Sequence, residues 1–599
     1  MMSLSFKGTH AFSQGQLRNV LATQKSGWLP WSVKRYFDRQ EFENDLKRIV
    51  AFYADRGFPD ARITGVDVAF NQAKDGVKLT INVEEGKPVI VETVRFDGFE
   101  DLPPDERKLL ESVPLKAGGR RDRDVVRATR DQAVKLFRNN AHPTAAVDVT
   151  ERPGSAPDRV IVSYIADPGP VMTFGPITTT GYEKLHESVI RREVLFKSGQ
   201  PYDERLIIKT QRRLSGLELL ELAAVTPRVD QPEGATVPVR ITVSEGKPRR
   251  LRLGVGYGSE EQARGTLSWQ HLNFMGGAKR LTTDAKWSSI DRGVRIGLTT
   301  PYFVRPGVAL TVGTGVWQTN ELTYDSTSWG GRAMLSYHFD RMKRPSREPA
   351  HYHFDLTYGN EFLSNGIKPQ FLEDQSRRDE RIALGLDPDN GRARGTLATL
   401  AIDAERWAVD VPLDPRFGIV TLAHAEYASP KLGGTYSYAE FGGEVRGFLP
   451  AGQSVLAGRV RASTLVSADA LSVPFSKRYF LGGSQSLRGW GRFQVGPLDI
   501  DGLPVGGRSV FETSTELRMP VRGPLGVVFF VDAGNVWPGA RFDIGDLLVD
   551  VGTGVRYHTP VGAVRVDVGW QVNRIEGLVV NGLPAERRWR IHFSLGHVF

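Results

Sequence analysis

The residues best placed to do chemistry lie in one stretch, Arg478-Tyr479-Phe480-Leu481-Gly482-Gly483-Ser484-Gln485-Ser486-Leu487-Arg488-Gly489-Trp490. It belongs to a segment of about 40 residues without strand pattern, between two alternating runs. A surface loop of that length is usually polar. This one carries glycines, aromatics and an arginine, Arg488, framed by Leu487, Gly489 and Trp490, which suits a loop that folds back and docks. The runs that follow place acids on one face by alternation: Glu512 and Glu516, then Asp532. Over Leu525 to Gly534 the outward set is Leu525, Val527, Phe529 and Val531, so Phe530, Asp532 and Gly534 point inward. A guanidinium is a fork that pairs a carboxylate through two hydrogen bonds, so a tucked loop tip can set Arg488 against Asp532. The pattern leaves the plainer alternative open: an exposed loop arginine and an unrelated aspartate.

Other chemistries find little support. The chain has no cysteine, which excludes disulfide scaffolds, thiol catalysis and cysteine metal sites. No Gly-x-Ser-x-Gly elbow, paired-histidine motif or phosphate loop stands out, so no catalytic residue, metal or cofactor is expected and the chain reads as a non-enzyme. Gly254-Val255-Gly256-Tyr257-Gly258 has the look of a nucleotide loop, but no helix follows it, and it reads as a flexible strand. His592 and His597 fall on opposite faces and make a poor metal pair. A net charge of +9, spread over 599 residues with acids and bases mixed, is a solvated surface rather than a nucleic-acid stripe.

The elements that must position the arginine follow from periodicity. Three N-terminal segments share one plan. Each opens with a short strand running into glycine: Leu4 to Gly8, Val94 to Gly98 and Ile177 to Gly181. Two helical stretches follow, the second over Arg39 to Arg56, Asp122 to Asn139 and Asp203 to Leu222, with Asp38, Asp122 and Asp203 as N-caps. Two alternating strands close each unit, the last ending at Gly86, Gly169 and Gly246. A period of about 80 residues describes small domains rather than solenoid units. The expected boundaries are 1–88, 89–170 and 171–248, each a three-stranded sheet with two helices on one face. An open sheet edge of this kind can add an extended peptide by main-chain pairing.

From 249 to 599 the helical period disappears. No run approaches the roughly 18–20 apolar residues of a membrane helix, a test blind to barrels. The last strand, Arg588 to Phe599, alternates Trp589, Ile591, Phe593, Leu595 and Phe599 against Arg588, Arg590, His592 and Ser594. Short Pro/Gly turns alternate with longer loops over 318–329, 363–393, 466–507, 535–547 and 572–587. Apolar-out, charged-in strands of this kind predict a closed antiparallel transmembrane β-barrel of about 16 strands, its ends on the short-turn side. Met1 to Leu21 lacks the apolar core of a signal peptide, and strand pattern begins almost at once. The expectation is a leader already missing from this sequence.

The N-terminal plan, with Glu-Gly-Lys-Pro at Glu85 to Pro88 and at Glu245 to Pro248, resembles the polypeptide-transport-associated (POTRA) domain in triplicate. Leu481-Gly482-Gly483 with Leu487-Arg488-Gly489-Trp490 resembles the Val-Arg-Gly-Phe/Tyr motif of the BamA/TamA superfamily of outer-membrane assembly barrels. Phe530-Val531-Asp532-Ala533-Gly534 matches that family's Phe-x-Asp-x-Gly strand. Leu487 and Trp490 are apolar departures from the motif. The resemblance covers nearly the whole chain, and three repeats without a preceding plug helix suggest the TamA-like branch.

The resemblance implies that the motif lies on the sixth extracellular loop and that Arg488 meets Asp532 in the lumen. It implies an outer-membrane barrel with periplasmic POTRA domains. Those domains would receive unfolded β-barrel or autotransporter clients, which the barrel inserts at the seam between its first and last strands. Gly254, Gly256 and Gly258 would weaken the first of these, and Gly596, near the terminal Phe599, would kink the last. Two other classes stay open. One is an exporter of the two-partner type or a passive pore, with Arg459, Arg461, Arg565 and Arg590 setting selectivity. The other is a lipid-traffic component acting on outer-membrane lipids with a TamB-like partner.

Overall fold

The computed structural model describes residues 3–23, 36–70, 77–321, 324–341, 350–367, 381–382, 384–469, 471–559, 562–580 and 582–595. The chain forms two compact units, residues 1–183 with 187–245, and residues 184–186 with 246–599.

In the first unit each repeat runs β-α-α-β-β. The first comprises β1 (Ser3–Lys7), α1 (Gln14–Val20), α2 (Arg39–Asp55), β2 (Arg62–Phe70) and β3 (Val77–Glu84). The second comprises β4 (Ile90–Asp97), α3 (Pro104–Arg107), α4 (Arg123–Arg138), β5 (Ala146–Pro153) and β6 (Arg159–Asp167). The third comprises β7 (Thr173–Thr180), α5 (Glu187–Arg191), α6 (Glu204–Ser215), β8 (Leu220–Pro227) and β9 (Thr236–Glu245). In every sheet the last strand is central, parallel to the first and antiparallel to the second. Asp38, Asp122 and Asp203 cap their helices by accepting from Glu41, Asp124 and Arg205 backbone N–H groups.

The glycine that ends each first strand has a steric cause. Gly8, Gly98 and Gly181 have φ of 76°, 82° and 88°. A Cβ there would lie 2.2, 2.7 and 2.0 Å from the carbonyl oxygen of Val83, Ala166 and Val243 on the central strand. The third helix is shorter than its sequence pattern predicts. It stops at Ser215 with Gly216 as C-cap, and Leu220 to Leu222, read as helix from their apolar spacing, open β8 instead.

The first repeat also buries a charge. Asp45 on α2 is fully buried and accepts from the Ala22 and Thr23 backbone N–H groups at 3.0 and 2.9 Å, and from Arg48 at 2.6 Å. Burial pushes its carboxyl up. The hydrogen bonds from Thr23, Ala22 and Arg48 outweigh that and hold it below the ordinary carboxylate range. Because the folded value is depressed, this contribution is complete above about pH 4 and disappears as pH falls through the folded value. Asp45→Asn should therefore destabilise the isolated N-terminal unit by about 1–3 kcal/mol at neutral pH. Urea melts at pH 7 and pH 3 check this: the gap between parent and variant must shrink at the lower pH.

The second unit is a closed antiparallel barrel of 16 strands. They are β10 (Arg249–Gly258), β11 (Gln262–His271), β12 (Arg280–Trp287), β13 (Asp291–Pro301), β14 (Val308–Asn320), β15 (Tyr324–Arg341), β16 (Ala350–Ile367) and β17 (Arg392–Val409). There follow β18 (Gly418–Ala428), β19 (Tyr438–Ala451), β20 (Ser454–Val466), β21 (Ser509–Arg522), β22 (Leu525–Trp537), β23 (Leu548–Thr559) and β24 (Gly562–Gln571). A small hairpin, β25 (Val579–Val580) with β26 (Leu583–Pro584), precedes the closing strand β27 (Trp589–Leu595).

Alternation sets the two faces. Phe529 and Val531 are about half exposed on the outside, whereas Phe530 and Asp532 are buried within. The expected loop 318–329 is mostly strand: Gln318 to Asn320 pair with Asp325 to Thr327. Backbone pairing continues there through polar residues because it needs no apolar side chains. The expected loop 363–393 is likewise shortened, by pairing that runs to Gly366 and Arg392. Of the seam residues expected from sequence, Gly596 and Phe599 lie outside the described residues.

Candidate functional site

The connection from β20 to β21, residues 467–508, is the sixth loop on its side of the barrel, and it docks inside. Leu481, Leu487, Trp490 and Val495 are buried in one cluster with wall residues Leu465, Val510, Val536 and Leu548. The loop folds on itself through backbone pairs Tyr479–Gly507 and Leu481–Val495. Apolar burial thus turns a long loop into a fixed insert.

Burial brings Arg488 to the wall with 4 % of its surface exposed. Its Nε and Nη2 donate to the two oxygens of Asp532, both at 2.8 Å, and Nη1 donates to Glu516 at 2.6 Å. Its backbone N–H also reaches Asp532 Oδ2 at 3.3 Å. Ser514 Oγ donates to Asp532 Oδ1 at 2.6 Å, and the guanidinium carbon lies 3.4 Å from the centre of the Phe530 ring. Burial disfavours the charged guanidinium, but the hydrogen bonds and charge of Asp532, with the charge of Glu516, more than compensate and hold it above its ordinary range. Two carboxylates on one desolvated cation make a strong, directional anchor.

Glycines let the backbones close around it. A Cβ on Gly569 of β24 would lie 2.4 Å from the Arg488 carbonyl oxygen, and one on Gly489 would lie 2.7 Å from Asp550 Cβ. A Cβ on Gly534 would lie 3.1 Å from Leu481 of the loop and 2.5 Å from the Phe511 carbonyl oxygen. The structure therefore brings Leu487, Arg488, Gly489 and Trp490 together with Phe530, Asp532 and Gly534.

Other contacts had no sequence signal beyond inward parity. Gln571 Nε2 donates to the Gly489 carbonyl at 2.8 Å, and His592 Nε2 lies 3.0 Å from the Arg488 carbonyl. Arg492 forks onto Glu321 at 3.1 and 2.7 Å, tying the loop to the turn after β14. Ser484 N–H donates at 2.5 Å to Glu260, in the turn after β10. Burial pushes the Glu260 carboxyl up. Contacts from His592 and the Ser484 amide outweigh this and hold it below its usual range. Alternation gives the face of a strand residue such as Gln571 or His592 but not its height in the barrel, and it says nothing of turn residues such as Glu260 and Glu321, so these partners could not be chosen from sequence.

Gly254, Gly256 and Gly258 stand in β10, away from the anchor. Strand β10 pairs with β11 through ten residue pairs. Among the described residues it pairs with β27 through two, Tyr257–Leu595 and Gly258–Ser594. Strand β27 pairs with β24 through seven.

Residues 273–599 match the Omp85 superfamily domain, and residues 3–86 and 172–246 match the POTRA family described as a surface antigen variable number repeat. The chain belongs to the Omp85 superfamily. The segment between the two repeat matches has the same sheet order as its neighbours. Over 566 residues the chain is 23% identical to the outer membrane protein assembly factor BamA of Neisseria meningitidis, covering 90% of this chain and 68% of that protein. It is 22% identical over 592 residues to the BamA of Neorickettsia risticii, covering 94% and 74%. The crystal structure of Haemophilus ducreyi BamA lacking POTRA domains 1–3 shares the fold, with a TM-score of 0.69 at 18% identity over 84% of this chain and 98% of that one. The expected TamA-like branch rested on the number of repeats, and these relatives carry the BamA name instead.

Removing the Arg488 side chain leaves Asp532 buried without its cation. Arg488→Ala should cost the barrel about 3–5 kcal/mol. Arg488→Lys should recover only part, because an ammonium cannot fork onto Asp532 while reaching Glu516. Gly569→Ala, whose Cβ strikes the loop backbone, should show a similar loss with the ion pair chemically intact. Thermal melting of the folded band in semi-native gels measures all three.

Proposed function

We propose that the protein is an outer-membrane assembly factor. Its periplasmic POTRA repeats receive unfolded outer-membrane β-barrel clients, including autotransporters, and its barrel inserts them at the junction of β10 and β27. The observation that carries this reading is the unequal closure of the barrel: among the described residues, two residue pairs at that junction against seven and ten on its flanks. A main-chain hydrogen bond contributes about 0.5–1.5 kcal/mol net, so this junction separates before any other. Separation leaves two strand edges in the membrane, which an incoming strand satisfies by pairing. The BamA names of the relatives support the same activity.

A passive pore or two-partner exporter fits less well. The docked loop crosses the lumen from β21 and β22 to the turns after β10 and β14. A TamB-like partner serving lipid traffic is the finer alternative. Depletion separates the two: loss of barrel proteins from the outer membrane supports assembly, and altered lipid asymmetry supports lipid transfer.

Gly258 and Ser594 face each other across the junction, and the native chain has no thiol to interfere. Gly258→Cys with Ser594→Cys, once oxidised, should abolish insertion of a barrel client into proteoliposomes, and reduction should restore it. A locked protein that inserts clients at the parental rate would sink the proposal.

A further inference from the structure

The docked loop touches β27 and the turn that follows β10. His592, on β27, lies with Nε2 3.0 Å from the Arg488 carbonyl and Nδ1 3.3 Å from Glu260 Oε1. Glu260 lies two residues past the end of β10 and accepts from the Ser484 N–H of the same loop. Next to this pair the Ser259 N–H donates to the Phe593 carbonyl at 2.9 Å, and the Phe593 N–H donates to Ser259 Oγ at 3.2 Å. The polar contacts across the junction thus gather at one end of it. From Arg249 to Gly256, β10 has no described partner on the β27 side.

We propose that Glu260 and His592 form a clasp that holds the β10–β27 junction closed, and that the anchored sixth loop sets the clasp through the Arg488 carbonyl and the Ser484 amide. The loop is then a brace on the closed state, not a bystander to opening. The argument is geometric. The His592 ring is buried, with an acceptor beside each nitrogen: a carbonyl of the loop on one and the Glu260 carboxylate on the other. Two acceptors call for a proton on each nitrogen, so the imidazolium form is the one that donates to both. Parting the strands carries Glu260 away with β10 while His592 stays with β27 and Arg488 with β22. The junction therefore opens only when this contact breaks, and Arg488, by fixing the carbonyl, is the positioning residue for the ring.

This inference rests on the junction being the site of insertion, and the test keeps the two apart. Leu253 and Ile591 face outward on β10 and β27, and no native cysteine competes for label. Spin labels at Leu253→Cys and Ile591→Cys report strand separation in nanodiscs without any client. Glu260→Gln, which keeps shape but loses charge, and His592→Ala should each raise the open fraction about tenfold. The double variant should open no further than either single one. Asp355→Asn, which removes a lumenal carboxylate paired with His353 on the far wall, should leave the distances unchanged.

Parental distances in Glu260→Gln and His592→Ala would overturn the clasp, as would independent, additive opening. If His592→Ala does not fold, Glu260→Gln decides alone. A junction that opens in the variants while client insertion stays at the parental rate would leave the clasp standing and sink the assembly reading.

Discussion

A cation taken out of water must be paired, and that requirement at Arg488 orders the lumen. An unpaired buried guanidinium costs several kcal/mol, so the loop tip has one satisfactory height, where Asp532 offers both oxygens and Glu516 a third. Fixing that height fixes Leu487 and Trp490 on either side in the apolar cluster. It also aims the Arg488 carbonyl at His592. The apolar cluster buries the loop, and the ion pair selects which of many apolar arrangements it adopts.

The Phe-x-Asp-x-Gly strand carries the matching half of this constraint. Residues at positions i, i+2 and i+4 share one face of a strand, and each has a separate task. Phe530 lies under the guanidinium, Asp532 forks onto it, and Gly534 leaves room for Leu481. A Cβ at 534 would strike the Phe511 carbonyl of β21 and press on the Leu481 side chain even with the ion pair intact.

Much of this is legible in the sequence, because alternation is a strict two-residue code in a barrel whose faces differ so sharply in polarity. It places Phe530, Asp532, Glu512 and Glu516 on the lumenal side, and the structure has them there. The glycines that close the first strands of the repeats were visible for a similar reason: only glycine tolerates the positive φ and the carbonyl pressed against it. Contacts made by height rather than face were not visible. Gln571, Gly569, His592 and Glu260 lie about 80 to 230 positions from Arg488 along the chain, and parity says nothing about vertical register across strands. Where polarity misled, as at Gln318 to Asn320 and Asp325 to Thr327, the ladder simply continues through polar side chains.

The barrel thus joins two demands that pull against each other. Closure must be complete, because an open edge in hydrocarbon leaves backbone groups without partners. The proposed function needs one junction that opens. Distributing weak pairing around the wall would soften every strand. Among the described residues the sparse pairing is confined to β10 against β27, and the proposed brace that offsets it is drawn from a loop anchored elsewhere, on β21 and β22. Strength that comes from a side-chain contact at one end is broken in a single step, whereas the same strength spread along a ladder must be undone pair by pair. A junction closed by few backbone pairs and one set of loop contacts can therefore stay shut at rest and still open without disturbing the other fifteen strand pairings that complete the closed barrel.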